Sequence, residues 1–147
     1  MPHTGTASLD TERLYSEVSH FYARQMQALD DGRTDEWAET FTEDGVFVLH
    51  GGHDRAVGRA SLAASSAKAR AALAEQGIRH RHWLGMLTVE PRPDGSAAAR
   101  CYALVVATPL GGTPMLHRST VCEDVLVRDG AGVWLVQHRQ VSRDDLV

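Results

Sequence analysis

Leu14, Val18, Phe21, Gln25 and Leu29 recur at three- and four-residue steps, with Tyr22 and Met26 beside them. That spacing is one face of an α-helix. Asp10 stands where an N-cap belongs, so the pattern predicts a helix from Thr11 to about Leu29, ended by Gly32 in a left-handed conformation. Thr34 is placed to cap a short second helix over 35–41, docked by Trp37 and Phe41 as an i, i+4 pair. A turn is expected at 43–45, a short strand at 46–50 and a loop at 51–54. An alanine-rich third helix opens at Gly58, runs to about Glu75 and is closed by Gly77. The pattern then changes to runs of β-branched and aromatic residues. Strands are expected at 82–90, 97–108, 115–128 and 133–142, with Gly- and Pro-bearing turns at 91–95, 109–114 and 129–132. Helices first and an antiparallel meander afterwards imply an α+β domain with helices on one face of a curved sheet.

Composition narrows the setting. The chain has 147 residues, 43% hydrophobic and 23% charged, which suits one domain with one core. We expect residues 1–9 to form a disordered tail and 10–147 a single domain. The formal net charge is −4, so a nucleic-acid partner has no electrostatic footprint. No stretch approaches the ~18 apolar residues of a membrane span. The first residues carry no apolar signal region. Cys101 and Cys122 are isolated and read as small buried hydrophobes in a reducing compartment. Together these features point to a cytoplasmic protein.

The candidate chemistry centres on Asp30 and His82. Asp30 falls where the first helix ends, facing the negative pole of its dipole, which costs a few tenths of a kcal/mol up to about 1. Tyr22, Met26 and Asp30 are spaced i, i+4, i+8, so Asp30 continues the inward stripe. His82 opens a later strand. An inward carboxylate and a strand histidine meeting in one cavity would make a general acid/base pair. Each also has a plainer reading: Asp30 as a turn former, His82 as a hydrogen-bonded wall residue. His50 and His53 are placed at a pocket mouth or in a surface loop. Tyr102 offers either a phenol to a pocket or a packed strand aromatic. His117, Ser119 and Glu123 alternate on one strand face, which lines a pocket or a wet subunit interface. Tyr22, on the Asp30 stripe, and Trp83, beside His82, complete the expected substrate contacts. Trp134 reads as core and Arg139 as the partner of a nearby carboxylate. His80-x-His82 and His50-x-x-His53 suggest a metal, but Glu90 is too distant to complete a set and no cysteine supports one. Neither a metal nor an organic cofactor is expected. A glycine-rich phosphate loop and a Gly-x-Ser-x-Gly elbow are both missing.

Four segments together resemble the NTF2-like superfamily, in particular its SnoaL-like and scytalone-dehydratase-like branch. They are PheTyrAlaArgGlnMetGlnAlaLeuAspAspGlyArgThrAspGluTrpAlaGluThrPheThrGluAspGlyValPhe at 21–47, ArgHisTrpLeuGly at 81–85, ArgCysTyrAlaLeuValVal at 100–106, and AspGlyAlaGlyValTrpLeuValGlnHisArg at 129–139. The resemblance covers about residues 11–142 and rests on order and spacing rather than on one motif. It implies a cone: a bent sheet wrapped around helices, with a deep apolar pocket. In the dehydratase branches an Asp closing the first helix and a His opening a strand face that pocket as a dyad, and Asp30 and His82 occupy those places. The match is partial. The dehydratase tyrosine before the Asp is Leu29 here, and its second histidine falls near Ala107. The steroid-isomerase base falls near Leu49.

The expectation is therefore a cofactor-independent dehydratase, isomerase or cyclase. It would act by His82/Asp30 general acid–base catalysis on a small cyclic or polyketide-like molecule and assemble as a homo-oligomer, a dimer or trimer. The alternative is a non-catalytic ligand-binding or assembly subunit resembling the β subunit of ring-hydroxylating dioxygenases, because this fold serves both roles. A cavity open down to His82 favours the enzyme, and a filled cone favours the subunit.

Overall fold

The computed structural model describes residues 4–50 and 54–146. They form α1 (Thr4–Asp30), α2 (Thr34–Glu39), β1 (Phe41–Leu49), β2 (Asp54–Val57), α3 (Arg59–Gln76), β3 (Ile78–Pro91), β4 (Ala97–Pro109), β5 (Met115–Arg128) and β6 (Trp134–Arg143). The six strands make one curved, open sheet in the order β2-β1-β6-β5-β4-β3. β3 to β6 form the expected antiparallel meander. β1 joins β6 in parallel, so the sheet is mixed.

α1 begins at Thr4, and Asp10 lies inside the helix rather than capping it. The tail expected over 1–9 falls partly on residues 1–3, outside the described residues. α2 ends at Glu39 and Arg33, not Thr34, occupies its N-cap position. Phe41 opens β1 instead of closing α2, and still meets Trp37 edge-on at 5.1 Å between ring centroids. The expected turn at 43–45 is a bulge within β1, where the pairing with β6 slips between Phe41 and Val46. A side chain on Gly45 would come within 2.9 Å of the Phe41 Cβ, which explains glycine there. β2 pairs with β1 at the sheet edge and overlaps the loop expected at 51–54 only at Asp54. β3 starts at Ile78, so His82 sits inside the strand.

Curvature comes from further slips in register, between Gly85 and Thr88 on β3, Val105 and Val106 on β4, and Val125 and Leu126 on β5. α1 lies in the concave side. Leu14, Val18 and Tyr22 pack there against Ala97, Ala99, Cys101, Cys122, Leu126, Trp134 and Val136. α1 runs closest to β3. On β5, Thr120, Cys122, Asp124 and Leu126 face inward and are buried, while Glu123 faces out. Leu116, an even number of positions from Cys122 and Leu126, would share their face in a regular strand but is 61% exposed. The slip opposite Val105 and Val106 inserts His117 as an extra residue and turns Leu116 outward.

Candidate active site

The C-terminal end of α1 positions the acid. Gly32 takes φ +78°, and the Arg33 amide donates to the Ala28 carbonyl at 2.9 Å, closing the helix with the left-handed turn its sequence predicts. Arg70 of α3 lies against this turn and donates Nη1–H to the Asp30 carbonyl oxygen at 2.5 Å. Its guanidinium occupies the space a Gly32 side chain would need, 2.8 Å from the position of such a Cβ. A cation thus sits at the negative pole of α1, offsetting the acid already there.

Asp30 gives both oxygens to His82. Oδ1 lies 2.6 Å from the ring Nδ1, and Oδ2 accepts the His82 backbone N–H at 3.0 Å. This two-point grip fixes the carboxylate and the imidazole plane together. The Asp30 side chain is 5% exposed and that of His82 24%, so the acid is sealed behind the histidine. With Nδ1 held as donor to the carboxylate, Nε2 is left as the acceptor. Asp30 can then stabilise the positive charge that appears when Nε2 takes a proton.

Both residues line a cavity of about 1140 Å³. Met26, Leu29, Trp37, Phe47, Leu62, Leu73, Leu84, Ala103, Val105 and Val141 give it an apolar wall. Leu62, Ser66, Ala69 and Leu73 of α3 face it at helical spacing, so this alanine-rich helix forms a side of the cavity. The walls also carry Arg55, Arg79, Arg81 and Arg118.

The inner end of the cavity is polar. Arg139 Nε donates to Asp124 Oδ1 at 2.9 Å, and Nη2 donates to Asp124 Oδ2 at 2.7 Å and to Gln25 Oε1 at 2.8 Å. The Tyr22 hydroxyl donates to Asp124 Oδ2 at 2.5 Å. Burial alone would lower the Arg139 pKa, but the Asp124 charge outweighs it and the guanidinium is held well above its usual value. Burial and the same Asp124 charge push the Tyr22 phenol up, so it stays neutral. This layer separates the packed end of the cone from the cavity.

Of the expected substrate contacts, His50 lines the cavity. Its backbone has φ +52°, and among the described residues its buried Nδ1 has no hydrogen-bond partner. His53 lies outside the described residues. Tyr22, Trp83 and Tyr102 do not line the cavity. Tyr22 is on the inward stripe but about two turns before Asp30, and its hydroxyl is taken by Asp124. Trp83 and Tyr102 alternate with inward-facing neighbours, so they point to the outer face, 71% and 47% exposed. His117 is exposed, and its ring meets that of His80 at 5.0 Å. His80 itself lines the cavity. Among the described residues no group of three histidines, cysteines or carboxylates converges as a metal site would require. The carboxylate expected to partner Arg139 is Asp124. Arg70 was not foreseen, since nothing near it in the chain announces a contact with a residue 40 positions away.

A model of the SnoaL-like domain matches residues 11–140. A search of curated proteins gave no match. Among solved structures, ActVI-ORFA from Streptomyces coelicolor is 34% identical with a TM-score of 0.86, over 92% of this chain and 98% of that one. A protein from Catenulispora acidiphila, solved in complex with S-DNPA, is 36% identical with a TM-score of 0.80, over 91% and 96%. An NTF2-like protein with a cystatin-like fold from Novosphingobium aromaticivorans is 28% identical with a TM-score of 0.80, over 100% and 94%. The chain belongs to the SnoaL-like family and has its NTF2-like α+β cone.

Proposed function

We propose that this protein is a cofactor-independent lyase, isomerase or cyclase that moves protons on a small, mostly apolar cyclic or polyketide-like molecule. The observation that carries the reading is the two-point grip of Asp30 on His82 at the wall of an open cavity. His82 Nε2 removes a proton from a carbon beside a carbonyl. Asp30 holds the tautomer and balances the imidazolium. The imidazolium then returns the proton, to a leaving hydroxyl in a dehydration or to another carbon in an isomerisation. The cavity wall is apolar, so the substrate's rings enter without loss of hydrogen bonds. A cavity reaching His82 supports the enzyme over the assembly-subunit reading. Among the described residues no helix is long and apolar enough to cross a membrane, and a cytoplasmic setting fits this chemistry.

S-DNPA, the compound bound by the Catenulispora relative, is the first ligand to test, followed by hydroxylated cyclic ketones. Isothermal titration and product analysis should find a compound that binds and is converted by the wild type. His82→Ala should keep binding and lose conversion. Tight binding with no conversion of any panel member by the wild type would favour the ligand-binding subunit instead.

A further inference from the structure

His80 is the residue of the His-x-His pair that the dyad leaves unused. Residues i and i+2 on a strand share a face and lie about 6.6 Å apart, and both His80 and His82 line the same cavity. None of the described hydrogen bonds uses the ring nitrogens of His80. Its ring instead packs against that of His117, with centroids 5.0 Å apart and planes at 37°. The two rings meet across β4, where the residue paired with His80 is Ala107. An alanine there leaves room for the contact, and the inserted residue on β5 is His117 itself.

We propose that His80 is a second catalytic imidazole, which donates an N–H to the carbonyl oxygen of the substrate while His82 takes the proton from the adjacent carbon, and that His117 is its positioning residue. This deepens the reading above and rests on it. The spacing suits the task, because a carbonyl oxygen and its α-hydrogen are only a few bonds apart and can bridge two imidazoles on one strand face. As the α-carbon–hydrogen bond breaks, the proton goes to His82 Nε2. Its electron pair moves to the carbonyl oxygen, where the His80 N–H receives the developing charge. In a β-hydroxy ketone the enolate then expels hydroxide, which leaves as water with the proton from His82. No oxidant, reductant or metal enters the balance.

The surroundings keep His80 in the form this role requires. Burial lowers its pKa, followed by the nearby His117 and His82. Asp30 of α1 pulls the other way, and Arg118 of β5 lowers it again. His80 is thus neutral near pH 7, and a neutral imidazole is an effective electrophilic donor to a carbonyl. The substrate class narrows to cyclic ketones with an acidic α-hydrogen, with a β-hydroxyl where the reaction is dehydration.

Two measurements test this. First, 1-tetralone, which has the carbonyl but no leaving group, is titrated into the ¹⁵N-histidine-labelled protein. The ring resonances of both His80 and His82 should move. Movement of His82 alone removes His80 from the site and leaves the dyad standing. No movement of either overturns the ketone class itself. Second, conversion of 3-hydroxy-1-tetralone to 1-naphthol is followed by fluorescence. His80→Phe should lower kcat by about 10²–10³-fold with little change in KM, as loss of one oxyanion donor does. His80→Gln, which restores an N–H, should recover part of that loss. His117→Ala should lower kcat less, and circular dichroism should find all three variants folded. Wild-type kcat in His80→Phe alongside a dead His82→Ala overturns the proposal without touching the dyad. Full activity in His82→Ala would defeat the dyad instead, and a wild type inert toward the hydroxytetralone would overturn the substrate class.

Discussion

Two imidazoles in contact, His80 and His117, make the acid side of the pH range costly. Burial and the neighbouring charged groups hold both below the ordinary histidine value of 6.5. For His80 the facing groups are His117, His82, Asp30 and Arg118, and for His117 they are Arg118 and Arg143. As pH falls through about 6.5 the unfolded chain therefore takes up these two protons before the folded one does. This part of the stability is complete above that value and is lost as pH falls toward the folded pKa values. Urea midpoints measured from pH 8 to 5 should decline for the wild type. The decline should be shallower in the His80→Gln/His117→Gln double variant, and identical slopes would contradict the assignment.

At the scale of elements, the join between α1 and α3 decides where Asp30 stands. Gly32 is needed twice, for its φ of +78° and for the Arg70 guanidinium packed on it. Gly32→Ala should cost about 1–2 kcal/mol from the backbone alone and should displace Arg70 from the Asp30 carbonyl. Chemical denaturation should register the first effect, and a reduced turnover in the still-folded protein the second. A variant as stable as the wild type would refute this placement. The same element was legible in the sequence, because a long amphipathic stripe followed by AspAspGly specifies both a helix and its end. β4 and β5 were legible for a similar reason, since apolar alternation between strong turns leaves little choice. β3 begins four residues before its expected start at His82. Its first residues, IleArgHisArg, face a polar cavity wall on one side and solvent on the other, so they lack the apolar alternation of a core strand. β2 is four residues, mostly exposed, at the sheet edge, with no pattern to find. Trp83 is expected beside His82 among the substrate contacts, but neighbours along a strand point to opposite faces, so the two cannot share the cavity; for Tyr102 the alternation of β4 does not say which face is concave.

At the scale of the molecule, the outer face of the sheet is the surface left uncovered. Trp83, Tyr102 and Leu116 are strongly exposed on it, and Val121 lies beside Tyr102. A contiguous apolar patch on a sheet is the usual mark of a protein interface. We expect a homodimer or homotrimer formed through this face, keeping the cavity mouth free. Sedimentation at micromolar concentration should give an oligomer for the wild type and a smaller species for Trp83→Arg/Tyr102→Glu. A wild-type monomer would contradict the expectation. The arrangement divides the cone: α1 and the closed end of the sheet hold the core, the Tyr22–Asp124–Arg139 layer seals it, and the open end holds the cavity lined by Asp30 and His82.

The most direct test of the Asp30–His82 pair is a double-mutant cycle on kcat/KM, using whichever ketone the wild type converts. His82→Ala should reduce turnover by about 10²–10⁴-fold. Asp30→Asn should lose most activity as well, because an amide neither fixes the same tautomer nor balances an imidazolium. The double variant should be little worse than the worse single one, since the two side chains act as a unit. Full activity in folded His82→Ala, or losses in the two single variants that simply multiply in the double, would contradict the account.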